Sequence, residues 1–345
     1  MEPNLIVSGS YDNTIRVWKE PKKLLAFQGV GNIRPFLEVF KFLTCEEVVR
    51  IARVNKQFYE ASFHSEVLKL GFRQTRVLEG NTGCVWSVAV SQSKGILVSG
   101  SGDFAIRVWS LATGQLTKVL KGHSDWVCSV AISSDAEYVV SGSRDNTLRV
   151  WSVASGLTTR VLIGHNSAVR SVAISSGDQY IVSCSYDTTL RVWSLTTGEM
   201  IKLIQGHSYS VWSLAISKSD LYIISGSVDS LVRVWGFASG DLIRELQGHG
   251  GIIYSVAISS DDQFAVSGSE DKTIRVWSLT SGEATQVLRG HAGFVLSVNL
   301  SSDDKYLVSG GGSEDYSVRV WDLSTGQQTQ ELQAHTGNVW SVNLI

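Results

Sequence analysis

Six histidines hold one place in a repeating phrase, and they are the first residues to test for chemistry. His123, His165, His207, His249 and His291 each follow a glycine, His335 follows Ala334, and only His64 falls elsewhere. Imidazole can ligate a metal or act as a base near neutral pH. Here no zinc-ligand spacing, nucleophile elbow or glycine-rich phosphate loop accompanies it. The four cysteines, Cys45, Cys84, Cys128 and Cys184, stand far apart with no CxxC pair. They read as free thiols in a reducing compartment. The sequence therefore offers no catalytic constellation, and neither a metal nor a cofactor is expected.

Residues that differ between copies at a fixed phase are the better candidates, because uniform residues build a repeat and singular ones can build a site. One such phase, just before a turn aspartate, holds Tyr11, Gly102, Arg144, Tyr186, Val228, Glu270 and Glu314. The other, five residues after the histidine position, holds Trp86, Cys128, Arg170, Trp212, Tyr254, Leu296 and Trp340. Arg144 and Arg170 are the basic residues of the two sets, and guanidinium gives bidentate, charge-assisted bonds to phosphate. The aromatic residues Tyr11, Trp86, Tyr186, Trp212, Tyr254 and Trp340, with Trp126 near the same place, suit interface anchors if exposed and core if not.

The elements that must position these residues follow from the repeat. The phrase Ser-Gly-Ser-x-Asp-x-Thr-apolar-Arg-Val-Trp is complete at 141–151 and 267–277 and recurs with small changes in five other places. Trp109, Trp151, Trp193, Trp235 and Trp277 are spaced by 42, and Trp321 follows after 44. Seven copies of a 42-residue unit, one insertion of 49 and one of 2 account for all 345 residues. Within a unit, short alternating runs such as 127–132, 138–143, 148–153 and 157–163 predict four strands separated by turn clusters. The composition, 43% hydrophobic with a net charge of −2, suits a folded protein with no global pull toward nucleic acid or an anionic membrane. No apolar run reaches the length of a membrane span, and the N-terminus shows no signal-peptide pattern.

Four-stranded units repeated at this period are a β-propeller signature, and from His123 through Trp151 onward the residues resemble the WD40-repeat family. That resemblance implies that the recurring His, Ser, Asp and Trp form a buried hydrogen-bonded set in each blade, and that the two singular phases line the mouth of the channel. The final copy stops after one strand and the first copy supplies only later ones. Counting on from His335 through the C-terminus reaches Trp18, so the two ends complete one blade, with strands expected at 339–344 and 5–18. Residues 1–21 are thus read as strands completing the seventh blade, and 73–345 as the rest of the propeller.

Residues 22–72 carry a different period. Thr44 and Glu47 suit a capping box, and apolar residues at three- and four-residue spacing predict a helix over 45–61, with shorter ones near Pro35 and over 65–70. The run 36–43 and the run 47–59 resemble an F-box, with Pro35, Phe36, Leu37, Phe40, Leu43, Val48, Val54 and Phe58 as the docking residues that this likeness implies. The expected fold is an all-β, seven-bladed propeller with a small helical F-box-like insertion. The resemblance implies a eukaryotic cytosolic or nuclear adaptor. Its F-box would dock the linker subunit of an SCF ubiquitin ligase and its propeller would hold a protein or phosphopeptide degron. Phosphodegron-reading propellers of that kind carry arginines at the phases of Arg144 and Arg170. The alternative is a non-catalytic propeller scaffold whose insertion binds some other partner.

Overall fold

A computed structural model describes residues 5–20, 72–333 and 335–344. Among them are twenty-eight strands in seven four-stranded antiparallel sheets, arranged as the blades of a propeller. We number the blades from the sheet whose inner strand is Val85–Ser91; the inner strands of blades 2 to 6 are Val127–Ile132, Val169–Ile174, Val211–Ile216, Ile253–Ile258 and Val295–Leu300. In each blade the second strand is buried along all but its first residue or along its whole length, since both of its faces are covered. Ile181–Cys184, for example, lie wholly or almost wholly out of solvent.

The core is a ring of seven clusters, each lying between two neighbouring blades. Val98, Ile106, Val108 and Leu120 of blade 1 meet Val127, Val130, Val139 and Trp151 of blade 2. The same combination recurs around the ring, always with the tryptophan of the following blade closing the cluster. Six of these indoles, from Trp109 to Trp321, are less than 2% exposed. A sheet that must pack closely on both faces needs small residues where a neighbour approaches. At Gly142 a Cβ would come within 2.6 Å of Val169 on the next blade.

Blade 7 is built from both ends of the polypeptide. Its strand order is Val339–Leu344, Leu5–Ser10, Ile15–Lys19, Arg73–Leu78. Ile6 pairs with Leu344 and Ser8 with Val342, while Ile15 pairs with Leu78. This pairing leaves no inner strand at the seam without a partner, which removes two open sheet edges. Val308, Val318 and Val320 of blade 6 pack there against Ile6, Trp18 and Val342.

The expected helical insertion requires correction. Among the described residues there is no helix, and the fold they support is an all-β propeller alone. Pro35, Phe36, Leu37, Phe40, Leu43, Val48, Val54 and Phe58 lie outside the described residues. Phe72, placed in the insertion by the sequence reading, belongs to the propeller instead. It packs on the seam cluster and its N–H donates to Gln330 Oε1 at 2.9 Å. Three- and four-residue apolar spacing is a local signal, and a short helix draws most of its stability from tertiary packing that such spacing does not specify.

Candidate functional site

A β-bulge in each inner strand creates the site. In blade 1 the ladder passes from Val85 opposite Ser101 to Ser87 opposite Gly100, leaving Trp86 as the extra residue. The same slip leaves out Cys128, Arg170, Trp212, Tyr254, Leu296 and Trp340 in the other blades. A bulge breaks strict alternation and re-aims side chains. As a result the extra residue and the serine after it both line one cavity on the propeller axis. The channel therefore has two layers, seven dissimilar side chains at the mouth and seven serines beneath them.

The serine layer joins the blades. Each hydroxyl oxygen accepts the outward N–H of the next inner strand, from Val130 on Ser87 at 3.1 Å to Val342 on Ser297 at 2.9 Å. Val172, Leu214, Val256 and Val298 bond Ser129, Ser171, Ser213 and Ser255 in turn. Val88 on Ser341 closes the circle at 3.1 Å. These are the N–H groups that an inner edge strand would otherwise leave unpaired.

At the mouth the sequence candidates Arg170, Trp86, Trp212, Tyr254 and Trp340 converge. The Arg170 guanidinium stacks 4.0 Å from the Trp212 ring, with Trp86 at 5.4 Å and Tyr186 at 5.7 Å. Trp340 lies 4.6 Å from Trp86 and stacks on Trp212 at 6.5 Å, while Tyr254 meets Trp212 edge-on at 5.0 Å. All of these rings are half-buried. Arg144 sits further out, exposed, over Trp126 at 4.7 Å, and Trp126 in turn stacks on Trp86. Tyr11 stands apart on the rim of blade 7 and is 57% exposed. The two arginines thus occupy different depths, and among the described residues no carboxylate pairs with either. Phe294, stacked on Tyr254 at 5.9 Å, and the serine layer were not among the sequence candidates. A serine following the singular residue in all seven copies was the available signal.

Burial pushes the Cys128 thiol up in pKa although Arg170 and Arg144 lie near it, so the sulfur stays protonated. Burial and then the Glu270 charge push the Tyr254 phenol up to about 12. Neither group is a nucleophile or base at neutral pH.

The histidines form closed relays away from the channel. In blades 2 to 6 the tryptophan Nε1–H donates to a serine Oγ at 2.8–2.9 Å. That serine bonds the histidine Nε2 at 2.6–2.8 Å. The histidine Nδ1 reaches the turn aspartate at 2.7–2.9 Å. Ser, His and Asp in series are the parts of a nucleophilic triad. Here each serine is wholly buried and its oxygen already accepts an indole N–H, so no substrate carbonyl can reach it. Blade 7 completes its relay across the two termini, with His335 bonding Ser8 at 2.6 Å and Asp12 at 2.9 Å. In blade 1 Asn81 replaces the histidine and takes a bond from Arg107. Burial alone would raise the relay aspartates, but hydrogen bonds from the histidine and the following Thr or Ser outweigh it and hold Asp145, Asp187, Asp271 and Asp315 well below the usual range. Burial lowers His207, His291 and His335 against the pull of their aspartates.

Residues 2–19, 72–110, 114–152, 156–194, 198–236, 240–278 and 282–322 match the family described as WD domain, G-beta repeat. No curated protein matches the sequence. The match breaks off at 19 and resumes at 72, and it brings no F-box with it. The F-box-like reading and the assignments that depended on it, docking to a ligase linker subunit, a degron and a place in the ubiquitin pathway, are therefore withdrawn.

Proposed function

Because the chain belongs to the WD40-repeat family, whose propellers are non-catalytic interaction scaffolds, we propose that it is a protein–protein interaction module that receives a segment of its partner at the channel mouth. The residues that carry this are Arg170, Trp86, Trp212, Tyr254 and Trp340 at the centre, with Tyr186, Arg144 and Tyr11 around them. The observation behind the reading is the half-exposed stack of three indoles, two phenols and one guanidinium on the axis. Tryptophan, tyrosine and arginine are the residue types that dominate interface energetics, most strongly near the centre of a patch.

Arg144 and Tyr186 sit in turns between second and third strands, whereas Lys19 ends a third strand and Arg73 begins a fourth, at the opposite end of their sheet.

The test is affinity purification of the full-length protein with chemical cross-linking, in wild type, in Trp212→Ala and in Ile163→Ser. Ile163 is 78% exposed on the outer strand of blade 2, far from the axis. The partner captured by wild type should be retained by Ile163→Ser and lost with Trp212→Ala, with cross-links mapping to the mouth. A partner kept by Trp212→Ala and cross-linked elsewhere would refute the reading.

A further inference from the structure

We propose that the chamber beneath the aromatic stack is a carboxylate-binding site, with Arg170 as its charged contact. The inference rests on the mouth being the partner-binding face and specifies the group that the partner inserts.

The lining is rich in donors and poor in acceptors. Arg170 has no carboxylate within ion-pair distance among the described residues; its guanidinium meets the protonated Cys128 thiol, and its Nε is buried without a hydrogen-bond partner. The indole Nε1 atoms of Trp86 and Trp340, on the same cavity, are likewise buried and unpartnered. Below them each serine oxygen accepts a backbone N–H, and none of these seven hydroxyls donates to an acceptor among the described residues. The chamber measures about 120 Å³, room for a small group.

Buried donors of this kind call for an acceptor, and a half-buried guanidinium with no carboxylate beside it favours a negatively charged one. A carboxylate offers two oxygens with about four acceptor sites and no proton of its own. It also carries one charge, which balances the single cation inside the chamber. Stacking 4.0 Å from the Trp212 ring holds the Arg170 guanidinium in place at the cavity it lines. The carboxylate can be the C-terminus of a polypeptide, an Asp or Glu side chain, or a free small acid, and the experiment separates these sources.

The full-length protein is titrated with four probes at constant ionic strength set by sodium chloride. They are sodium acetate, a Gly-Ser pentapeptide with a free C-terminus, the same peptide amidated, and an end-capped pentapeptide with one internal Glu. Tryptophan fluorescence reports occupancy, because Trp86, Trp212 and Trp340 line the chamber. At least one carboxylate probe should give a saturable change, and the amidated peptide should give none. Saturation by the free C-terminus alone, by internal Glu alone, or by acetate as well identifies the source. Arg170→Gln should weaken binding roughly tenfold or more. Trp340→Phe, which keeps the ring and deletes the N–H, should weaken it by a smaller factor. Thermal melting of both variants confirms that they fold. No saturable response in wild type, or an unchanged affinity in folded Arg170→Gln, overturns the proposal. Carboxylate binding that persists while the cross-linked partner maps elsewhere would sink the interaction reading and leave this site standing. Loss of the partner in Trp212→Ala without any carboxylate response would do the reverse.

Discussion

Replacing Ser267 by alanine probes the buried relay of blade 5 with little change of shape. Its oxygen accepts the Trp277 Nε1–H at 2.8 Å and bonds His249 Nε2 at 2.8 Å. Alanine leaves both partners buried, since Trp277 is 1% exposed and His249 8%. An orphaned buried polar group costs about 1–3 kcal/mol, so the substitution, which orphans two, should cost about 2–6 kcal/mol. Blade 1 provides the internal comparison. There Ser99 accepts from Trp109 at 3.0 Å, but its bond to Asn81 is long, 3.4 Å, and Asn81 Oδ1 keeps a second bond from Arg107 at 3.1 Å. Ser99→Ala therefore orphans one group and should cost about 1–3 kcal/mol. Urea unfolding followed by tryptophan fluorescence measures both. Equal losses in the two blades, or a loss under ~0.5 kcal/mol for Ser267→Ala, would refute the relay as a source of stability.

Three further outcomes follow from the same geometry. His207, His291 and His335 stay neutral in the fold where the unfolded state takes up protons, so stability should fall as pH drops below about 7. A second loss should begin below about pH 5, as the unfolded carboxylates protonate while those of the fold stay ionised. Asp103 belongs to this group: burial would raise it, but Arg107 and Thr82 bring it down to about 2. A urea midpoint that is flat from pH 7.5 to 4 would contradict both. Ser341→Ala, at the seam between the two termini, removes the acceptor of Val88 N–H and should cost about 1–3 kcal/mol, as Ser171→Ala should for Leu214 N–H; no change in the unfolding midpoint would deny the ring a structural role. Gly142→Ala drives a Cβ into Val169 and should cost about 1–3 kcal/mol, whereas Gly250→Ala, with nothing near its Cβ, should be close to neutral, and thermal melts of the two variants check the contrast.

Much of this architecture could be read from spacing. The 42-residue interval places Trp109 to Trp277 one blade apart, and the count from His335 to Trp18 brings the two ends together in the sheet observed. The singular residues at the phase of Trp86 and Arg170 do face one another across the axis. What spacing could not give was depth. Arg144 and Arg170 look equivalent as letters, yet the bulge carries Arg170 inward onto Trp212 while Arg144 stays on a turn over Trp126. The bulge also hid the serine layer, because strict alternation would send the residues at 86 and 87 to opposite faces. The F-box-like reading failed for a different reason. Apolar residues at three- and four-residue intervals recur in many unrelated sequences, and a short match around Phe40 and Phe58 lacks the sevenfold repetition that makes the propeller pattern specific.

Whether a partner is held by the aromatic and arginine stack on the axis is decided by oxidative footprinting of all eleven tryptophans, in the protein alone and with its cross-linked partner. Trp86, Trp126, Trp212 and Trp340 should react in the free protein and be protected in the complex. The seven tryptophans buried between blades, each 2% exposed or less, should be inert in both. Protection confined to other surfaces, with those four equally reactive before and after binding, would contradict binding at the stack.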